Sequence, residues 1–371
     1  MATQVSTGEG SAAPPAAGAP RRGLVLGGGG MLGAAWTVGA LCAVEEAVGW
    51  QPGSAEVVLG TSAGAILGAM LAGGVRAEQL RDHQRGLPIT AGPLAGVEFD
   101  YDTAVGGALP PRPRAGIGSP GLLRDAVRHP REYPLLTMVS AMAPHGRGSL
   151  ASVGELVGAL FDPAPQAGPW QALRVAAVDY RSGHRVVFGD PDTPPAGVAE
   201  AVMASCAIPG WFAPVRVDGS AYVDGGCWSA TNADLMLGRG LDEVYVLAPM
   251  ALRLRPRSRA GAPEPSAGPG RGTLAALREW RARDRPRGVL AQLVSRYRRA
   301  VTRQLLREAR LLRDSGVRVH LLAPTLEDLA AMGPNLMDPA RRGAVLESAL
   351  CTSRAALEDA RRPGAAAAGP G

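Results

Sequence analysis

Two short apolar runs each pass through a glycine-rich turn into an apolar helix, and this repeated unit decides the fold class. The first is Gly23-Leu24-Val25-Leu26, followed by Gly27 to Gly30 and an Ala-rich stretch, Met31–Val48, that closes near Gly49. The second is Val57-Val58-Leu59, then Gly60-Thr61-Ser62-Ala63-Gly64, with Ala63–Leu71 apolar enough for a buried helix. An unbroken apolar run bounded by glycines reads as a strand buried on both faces. Strand–turn–helix units in succession imply parallel strands in an α/β core. The chain has 371 residues, 46% of them hydrophobic, which rules out a wholly disordered chain. Only 4% are aromatic, so Leu, Val and Ala carry the packing.

The same pattern continues downstream. A helix is predicted at 153–160, strands at 173–178 and 185–188, and a short helix at 198–204. Strands at 243–247 and 317–322 and a closing helix at 341–361 follow. Residues 85–148 are rich in Pro, Gly and Arg and read as a cap or insertion over one end of the sheet. Within them, Leu135–Met142 suits either a lid touching lipid or ordinary core packing. The expected organisation is one domain over residues 21–361. Disordered tails are expected at 1–20 and 362–371, and a Pro/Gly/Arg linker at 253–272. A long basic amphipathic helix is expected within 273–313, with an apolar stripe through Leu290, Leu293, Val294, Tyr297, Val301, Leu305 and Leu312.

Charge narrows the partners. The net charge is +6, and all 39 basic residues are arginine. Between Arg253 and Arg313 stand 17 Arg against four acidic residues, so the basic balance is local. Few aromatics interleave with these arginines, and nucleic-acid binding is not expected. Helix 288–313 has two readings: a basic face that docks on anionic membrane, or a solvated helix held by its apolar stripe. The four cysteines (Cys42, Cys206, Cys227, Cys351) have no zinc-like spacing and make no disulfide scaffold. No apolar run reaches the ~18–20 residues of a membrane span, and residues 1–20 lack a basic segment followed by an apolar one. The expectation is a cytoplasmic protein, peripheral to the membrane if the basic face docks.

Three motifs carry chemistry. Gly60-Thr61-Ser62-Ala63-Gly64 is a GxSxG placed after an apolar run and before a helix, where a serine on a strained turn is lifted toward substrate. Gly27 to Gly33 can aim backbone N–H groups into one concavity. Gly28, Gly30 and Gly33 fit the GxGxxG of a dinucleotide site, and the same N–H groups also suit an oxyanion hole. A dinucleotide site needs an acidic residue at the end of the second strand. Here that strand runs into Gly60-Thr61-Ser62. The third motif, Asp224-Gly225-Gly226, offers a carboxylate able to act as a base for a serine. Among the five histidines, chain order selects His320 for a triad, but it lies within an apolar strand pattern. A Ser–Asp dyad is the more economical arrangement.

In this order, glycine loop, GxSxG and DGG, the chain resembles the patatin-like phospholipase family. The segment Ala204-Ser205-Cys206-Ala207-Ile208-Pro209-Gly210-Trp211-Phe212-Ala213-Pro214 also resembles the stretch that precedes DGG in that family. The likeness spans about Gly23 to Leu247. It implies a three-layer α/β/α fold with a central, mostly parallel sheet. It implies a lipid acyl hydrolase of phospholipase A type with no metal and no cofactor. By the resemblance Ser62 is the nucleophile and Asp224 its base. Gly28, Gly29 and Gly30 form the oxyanion hole, and Gly33, Gly60, Gly64, Gly225 and Gly226 are motif glycines. The family often has a basic residue before the last glycine of the loop, where this chain has Leu32. The rival reading is a catalytically silent lipid-binding module on the same fold, and Leu32 is the feature that favours it.

Overall fold

Eight strands form a single mixed sheet in the order β5-β6-β3-β2-β1-β7-β8, with β4 paired to β3. These strands are β1 (Arg22–Leu26), β2 (Val57–Thr61), β3 (Leu173–Asp179), β4 (Arg185–Phe188), β5 (Val215–Val217), β6 (Ser220–Asp224), β7 (Glu243–Leu247) and β8 (Arg318–Leu322). The β1–β2, β1–β7, β2–β3 and β7–β8 pairs are parallel, while β4, β5 and β6 run antiparallel to their neighbours. The structure is a computed structural model that describes residues 18–97, 99, 111–129, 133–161, 170–253 and 289–361. The expected tails (but for residues 18–20) and the 253–272 linker beyond Arg253 lie outside the described residues. So do parts of the 85–148 segment and residues 273–288 of the basic helix.

Side-chain alternation along the strands splits the interior into two layers. Leu24, Leu26, Val58, Val175 and Leu247 face one way. They are covered by α1 (Gly30–Val48), α2 (Ala63–Ala72), α6 (Ala151–Phe161), α7 (Val198–Cys206) and α10 (Arg342–Arg361). Val25, Leu59, Ala176, Val244 and Val246 face the other way, toward Val301, Leu305 and Leu312 of α8 (Val289–Asp314). The apolar stripe of the arginine-rich helix is therefore what seats it. Arg296, Arg303, Arg307 and Arg310 stay exposed.

Past the reach of α8, a smaller apolar cluster covers the β3–β6 end of the sheet. It joins Leu122 and Ala126 of α4 (Pro120–Arg128) and Ala141 of α5 (Leu135–Met142) to Val178 and Val223. The remaining helices are α3 (Ala77–Gln84) and α9 (Leu326–Met332). The amphipathic stripes of α3 and α4 are only about two turns long, too short to give a clear helical period in the sequence.

One expectation needs correction. At 19 residues α1 is long and apolar enough to cross a membrane by length and composition, whereas the sequence reading found no such run. The fold accounts for its composition: α1 is wedged between the sheet and α10 and most of it is buried, so it is apolar all round for the sake of a core. The crossing with α10 is tight at Gly39, where a Cβ would stand 2.7 Å from Ala349 Cβ and 2.9 Å from the Leu346 carbonyl oxygen. Gly39→Val is expected to force the two helices apart and lower stability by about 1–3 kcal/mol, read as a fall in the urea midpoint at unchanged m.

Candidate active site

The site is assembled on one edge of β3. β4 pairs with residues 175–178 of β3, overlapping the register of both β2 and β6, so those two strands must share the opposite edge end to end. Thr61, the last residue of β2, lies opposite Ala176, and Asp224, the last residue of β6, lies opposite Ala177. The parallel strand arrives and the antiparallel strand arrives at the same point of the sheet. Ser62 follows Thr61 directly, so the serine and the carboxylate meet there.

Ser62 occupies a conformation that L-residues avoid, with φ 53° and ψ −126°. Only Asp218 and Asn232 share a positive φ among the described non-glycine residues. The strain lets the chain turn from β2 into α2 within one residue and presents Oγ above the sheet. The turn is tight enough that a Cβ on Gly60 would stand 2.5 Å from Ala65 Cα, and one on Gly64 would overlap the Leu26 carbonyl. Ser62 N–H donates to Ser205 Oγ at 2.8 Å, and Ser205 Oγ–H donates to the Ala176 carbonyl at 2.6 Å. Ser205 thus fixes the strained elbow to β3. It stands in the segment quoted for the family resemblance, two residues before Ala207.

Asp224 is 5% exposed and has no basic side chain against it among the described residues. Burial pushes its carboxyl up from 3.8 to about 6, against the opposing effect of hydrogen bonds from the Ser62 side chain and the Gly226 backbone. The Gly226 N–H donates to Oδ1 at 2.7 Å. The Asp224 N–H donates to the Ala207 carbonyl at 3.0 Å, so the stretch after α7 holds the backbone of the acid as well as that of the serine. Cys206 lies within hydrogen-bond reach of Ser62. Burial, and then the Asp224 charge, raise its thiol far above the usual range, so it stays a neutral neighbour.

The glycine loop closes over Ser62, and a Cβ on Gly28 would stand 3.1 Å from Ser62 Cβ. The N–H groups of the loop differ in what they meet. Gly28 N–H is taken by the Ala230 carbonyl at 2.8 Å, as Gly27 N–H is by Leu247 at 2.9 Å. The N–H groups of Gly29 and Gly30 have no acceptor among the described residues. Gly33 N–H turns back to the Gly29 carbonyl at 3.0 Å as the first turn of α1 forms. Leu32 points into the main core and is wholly buried.

Two residues outside the sequence motifs brace the loop after β6. Asn232, at φ 52°, donates from Nδ2 to Thr61 Oγ1 at 3.1 Å and to the Ser229 carbonyl at 2.6 Å. Glu308 of α8 is buried and accepts from Ser229 Oγ, Thr231 Oγ1, Ala233 N and Gln304 Nε2 at 2.6–3.0 Å. Four neutral donors satisfy that carboxylate and tie α8 to the loop carrying the Ala230 carbonyl. Because these partners come from distant parts of the chain, no local motif announces them.

His320 lies on β8, three strands from β2, stacked on Tyr245 at 4.4 Å between ring centroids. None of the five histidines lines the cavities at Ser62 among the described residues. No group of His, Cys, Asp and Glu able to hold a metal ion occurs among those residues.

Two cavities meet at Ser62. A mouth of ≈ 430 Å³ is bounded by Gly28–Gly30, Asp224, Val139, Trp211 and Tyr297. A narrower channel of ≈ 80 Å³ runs inward between α2 and α6 past Ile66, Leu67, Met70, Leu150 and Val153, and its lining is almost wholly apolar. Burial, and then the Asp224 charge, raise the Tyr297 phenol, so it faces the mouth as a neutral donor.

A strained serine elbow on a mostly parallel α/β sheet, with a buried carboxylate beside it and a glycine loop over it, has the form of a serine-hydrolase site. The chain belongs to the patatin-like phospholipase family, whose model matches residues 24–237, from β1 to just past Asn232. That family generally hydrolyses lipid esters. Among solved structures the chain is similar to VipD from Legionella pneumophila, at 15% identity and a TM-score of 0.41, over 92% of this chain and 67% of VipD. No curated protein matches it significantly.

The raised Asp224 carboxyl has a consequence for stability. A folded pKa of about 6 against 3.8 means that its favourable contribution is complete below pH 4 and is lost as pH rises through 6. Asp224→Asn keeps an acceptor for Gly226 and carries no charge at any pH. Thermal melts are expected to show this variant gaining on wild type between pH 4 and pH 8, by about 3 kcal/mol at the upper end. A difference that stays constant with pH would show that Asp224 ionises at its ordinary value.

Proposed function

We propose that this protein is a serine acyl hydrolase that cleaves fatty-acyl esters of lipids, phospholipids included, through an acyl-enzyme on Ser62 with Asp224 as the base. The observation that carries the reading is the end-to-end sharing of the β3 edge, which brings the strained Ser62 within hydrogen-bond reach of a buried carboxylate. Ser62 Oγ attacks the ester carbonyl carbon while its proton passes to Asp224. The N–H groups of Gly29 and Gly30 receive the oxyanion, an interaction worth ~3–4 kcal/mol per well-placed donor. The carbonyl re-forms, the ester C–O bond breaks, and the leaving alkoxide takes the proton from Asp224. Water then gives its proton to Asp224 and adds to the acyl carbon; as that centre collapses the acyl–Oγ bond breaks, Ser62 Oγ takes the proton back from Asp224, and the fatty acid leaves.

The apolar channel supports an acyl chain as the buried part of the substrate, and the wider mouth leaves room for the alcohol portion. The exposed arginines of α8 support long-range attraction to an anionic membrane, and we place the enzyme on the cytoplasmic side of one.

A fluorophosphonate probe read by intact mass is expected to add once to wild type, not at all to Ser62→Ala, and slowly to Asp224→Asn. Hydrolysis of a lipid ester is expected to fall at least ~10³-fold in either variant. Because Asp224 must be ionised to accept the proton, kcat/KM is expected to rise with pH through about 6. A folded wild type that never labels, in detergent or on vesicles, would overturn the reading in favour of a silent lipid-binding module.

A further inference from the structure

Helix α5 buries two hydroxyls alongside Ala141 and leaves large apolar side chains outside. Its polar residues Thr137 and Ser140 are buried, and both are satisfied by the protein. Thr137 Oγ1 donates to the Cys227 carbonyl at 2.7 Å, and Ser140 Oγ donates to the Thr137 carbonyl at 2.7 Å. Its apolar residues Val139 and Met142 point outward and are 53% and 61% exposed. The hydrogen bonds through Thr137 fix this orientation, so the apolar face cannot roll inward without stranding buried hydroxyls.

The chain that runs alongside extends the face. Arg114 N–H donates to the His145 carbonyl at 2.9 Å and Ser119 N–H to the Ala141 carbonyl at 3.0 Å, which lays residues 114–119 along the end of α5. Ile117, in the middle of this strip, is 57% exposed. Tyr180 Oη, just past β3, donates to the Ser140 and Ala143 carbonyls at 3.2 and 3.3 Å and anchors the whole unit to the sheet. Val139 also lines the mouth above Ser62, so the exposed apolar surface is continuous with the substrate cavity.

Charge completes the picture. Arg112, Arg114 and Arg147 lie exposed beside this strip. Between residues 111 and 149 the described acidic residues number one, Asp125. Rigidly held apolar side chains flanked by arginines suit a surface that is oily within and anionic at its rim, which is a lipid–water interface. The arginine stripe of α8 differs. Its described exposed face offers a single large apolar residue, Leu311, so it can attract a membrane but has little to insert.

We propose that Ile117, Val139 and Met142, with Arg112, Arg114 and Arg147, form the face by which this protein seats itself on an anionic lipid surface, with the mouth of the Ser62 cavity turned toward the lipid. The proposal rests on the lipid reading of the site only for its choice of partner, and its test separates docking from hydrolysis. Docking is measured by co-sedimentation with phosphatidylcholine vesicles, with and without phosphatidylserine, in a Ser62→Ala background that cannot turn over lipid. Chemistry is measured with Ser62 intact on a soluble short-chain p-nitrophenyl ester.

Ile117→Asp/Met142→Asp is expected to lower vesicle partitioning by at least about tenfold and to leave soluble-ester hydrolysis unchanged. Arg112→Glu/Arg114→Glu/Arg147→Glu is expected to lower partitioning onto the phosphatidylserine vesicles alone. Arg303→Glu/Arg307→Glu on α8 is expected to retain vesicle binding within about threefold. Should the Asp pair disturb folding, an environment-sensitive dye on Met142→Cys in a Cys351→Ser background reads the same contact directly, by a blue shift on vesicles. Unchanged partitioning of the Asp pair, loss of partitioning only in the α8 variant, or a dye that stays in water would each overturn the proposal. Full docking without ester hydrolysis would leave it standing and sink the hydrolase reading.

Discussion

The edge of β3 is the constraint from which the site follows. A strand edge offers one row of hydrogen-bonding groups, and here two strands from opposite directions divide it between residues 176 and 177. Each must leave the sheet where the other ends. β2 leaves by the strained turn at Ser62, and β6 leaves through Gly225, whose missing side chain clears the Ala176 carbonyl. The proximity of serine and carboxylate is thus a property of strand register, fixed by backbone hydrogen bonds rather than by the side chains themselves. Moving either strand by one residue would also exchange the side chains it gives to the two buried layers, so the core and the site specify the same register.

Such an arrangement stores free energy, and the surroundings hold it in place. A positive φ at a serine and a buried carboxylate with no cation beside it are each unfavourable. Ser205 holds the elbow, Gly226 and the Ser62 side chain solvate the acid, and Asn232 links the end of β2 to the loop beyond β6. Glu308 reaches that loop from α8 on the far side of the sheet. The arginine-rich helix therefore bears on the site through a carboxylate. Leu32 fits the same logic: its position in the loop points into the core, where a cation without a partner would be costly.

What could be read from the chain alone follows from which interactions are local. The parallel core was legible because a strand buried on both faces needs an unbroken apolar run, and Leu24–Leu26 and Val57–Leu59 supply it. Ser62, Asp224 and the glycine loop were legible because turn chemistry restricts residue type within a few positions. The division of labour inside the loop was not, since whether an N–H group is free depends on a carbonyl at Ala230, some 200 residues away. Asn232 and Glu308 were invisible for the same reason. The span of residues 85–148 resisted reading because α5 holds Thr137 and Ser140 inside and leaves Val139 and Met142 outside, and periodicity reports which side of a helix is apolar without reporting which side is inside.

That arrangement also bears on how a deeply placed serine meets a substrate with little solubility. Ser62 is 7% exposed, and the channel beyond it is apolar. A lipid crossing open water to reach it would first have to expose its chains. On the proposed docking, an apolar rim continuous with the mouth would remove that step, since the chain would pass from bilayer to cavity without full hydration, at a gain of about 0.8 kcal/mol for each methylene kept dry. In the docking proposed above, the three arginines would orient the face and the apolar strip would hold it, with α8 adding attraction at longer range. Specificity for a lipid then comes less from recognition of a head group than from the requirement that the substrate arrive through an oily surface.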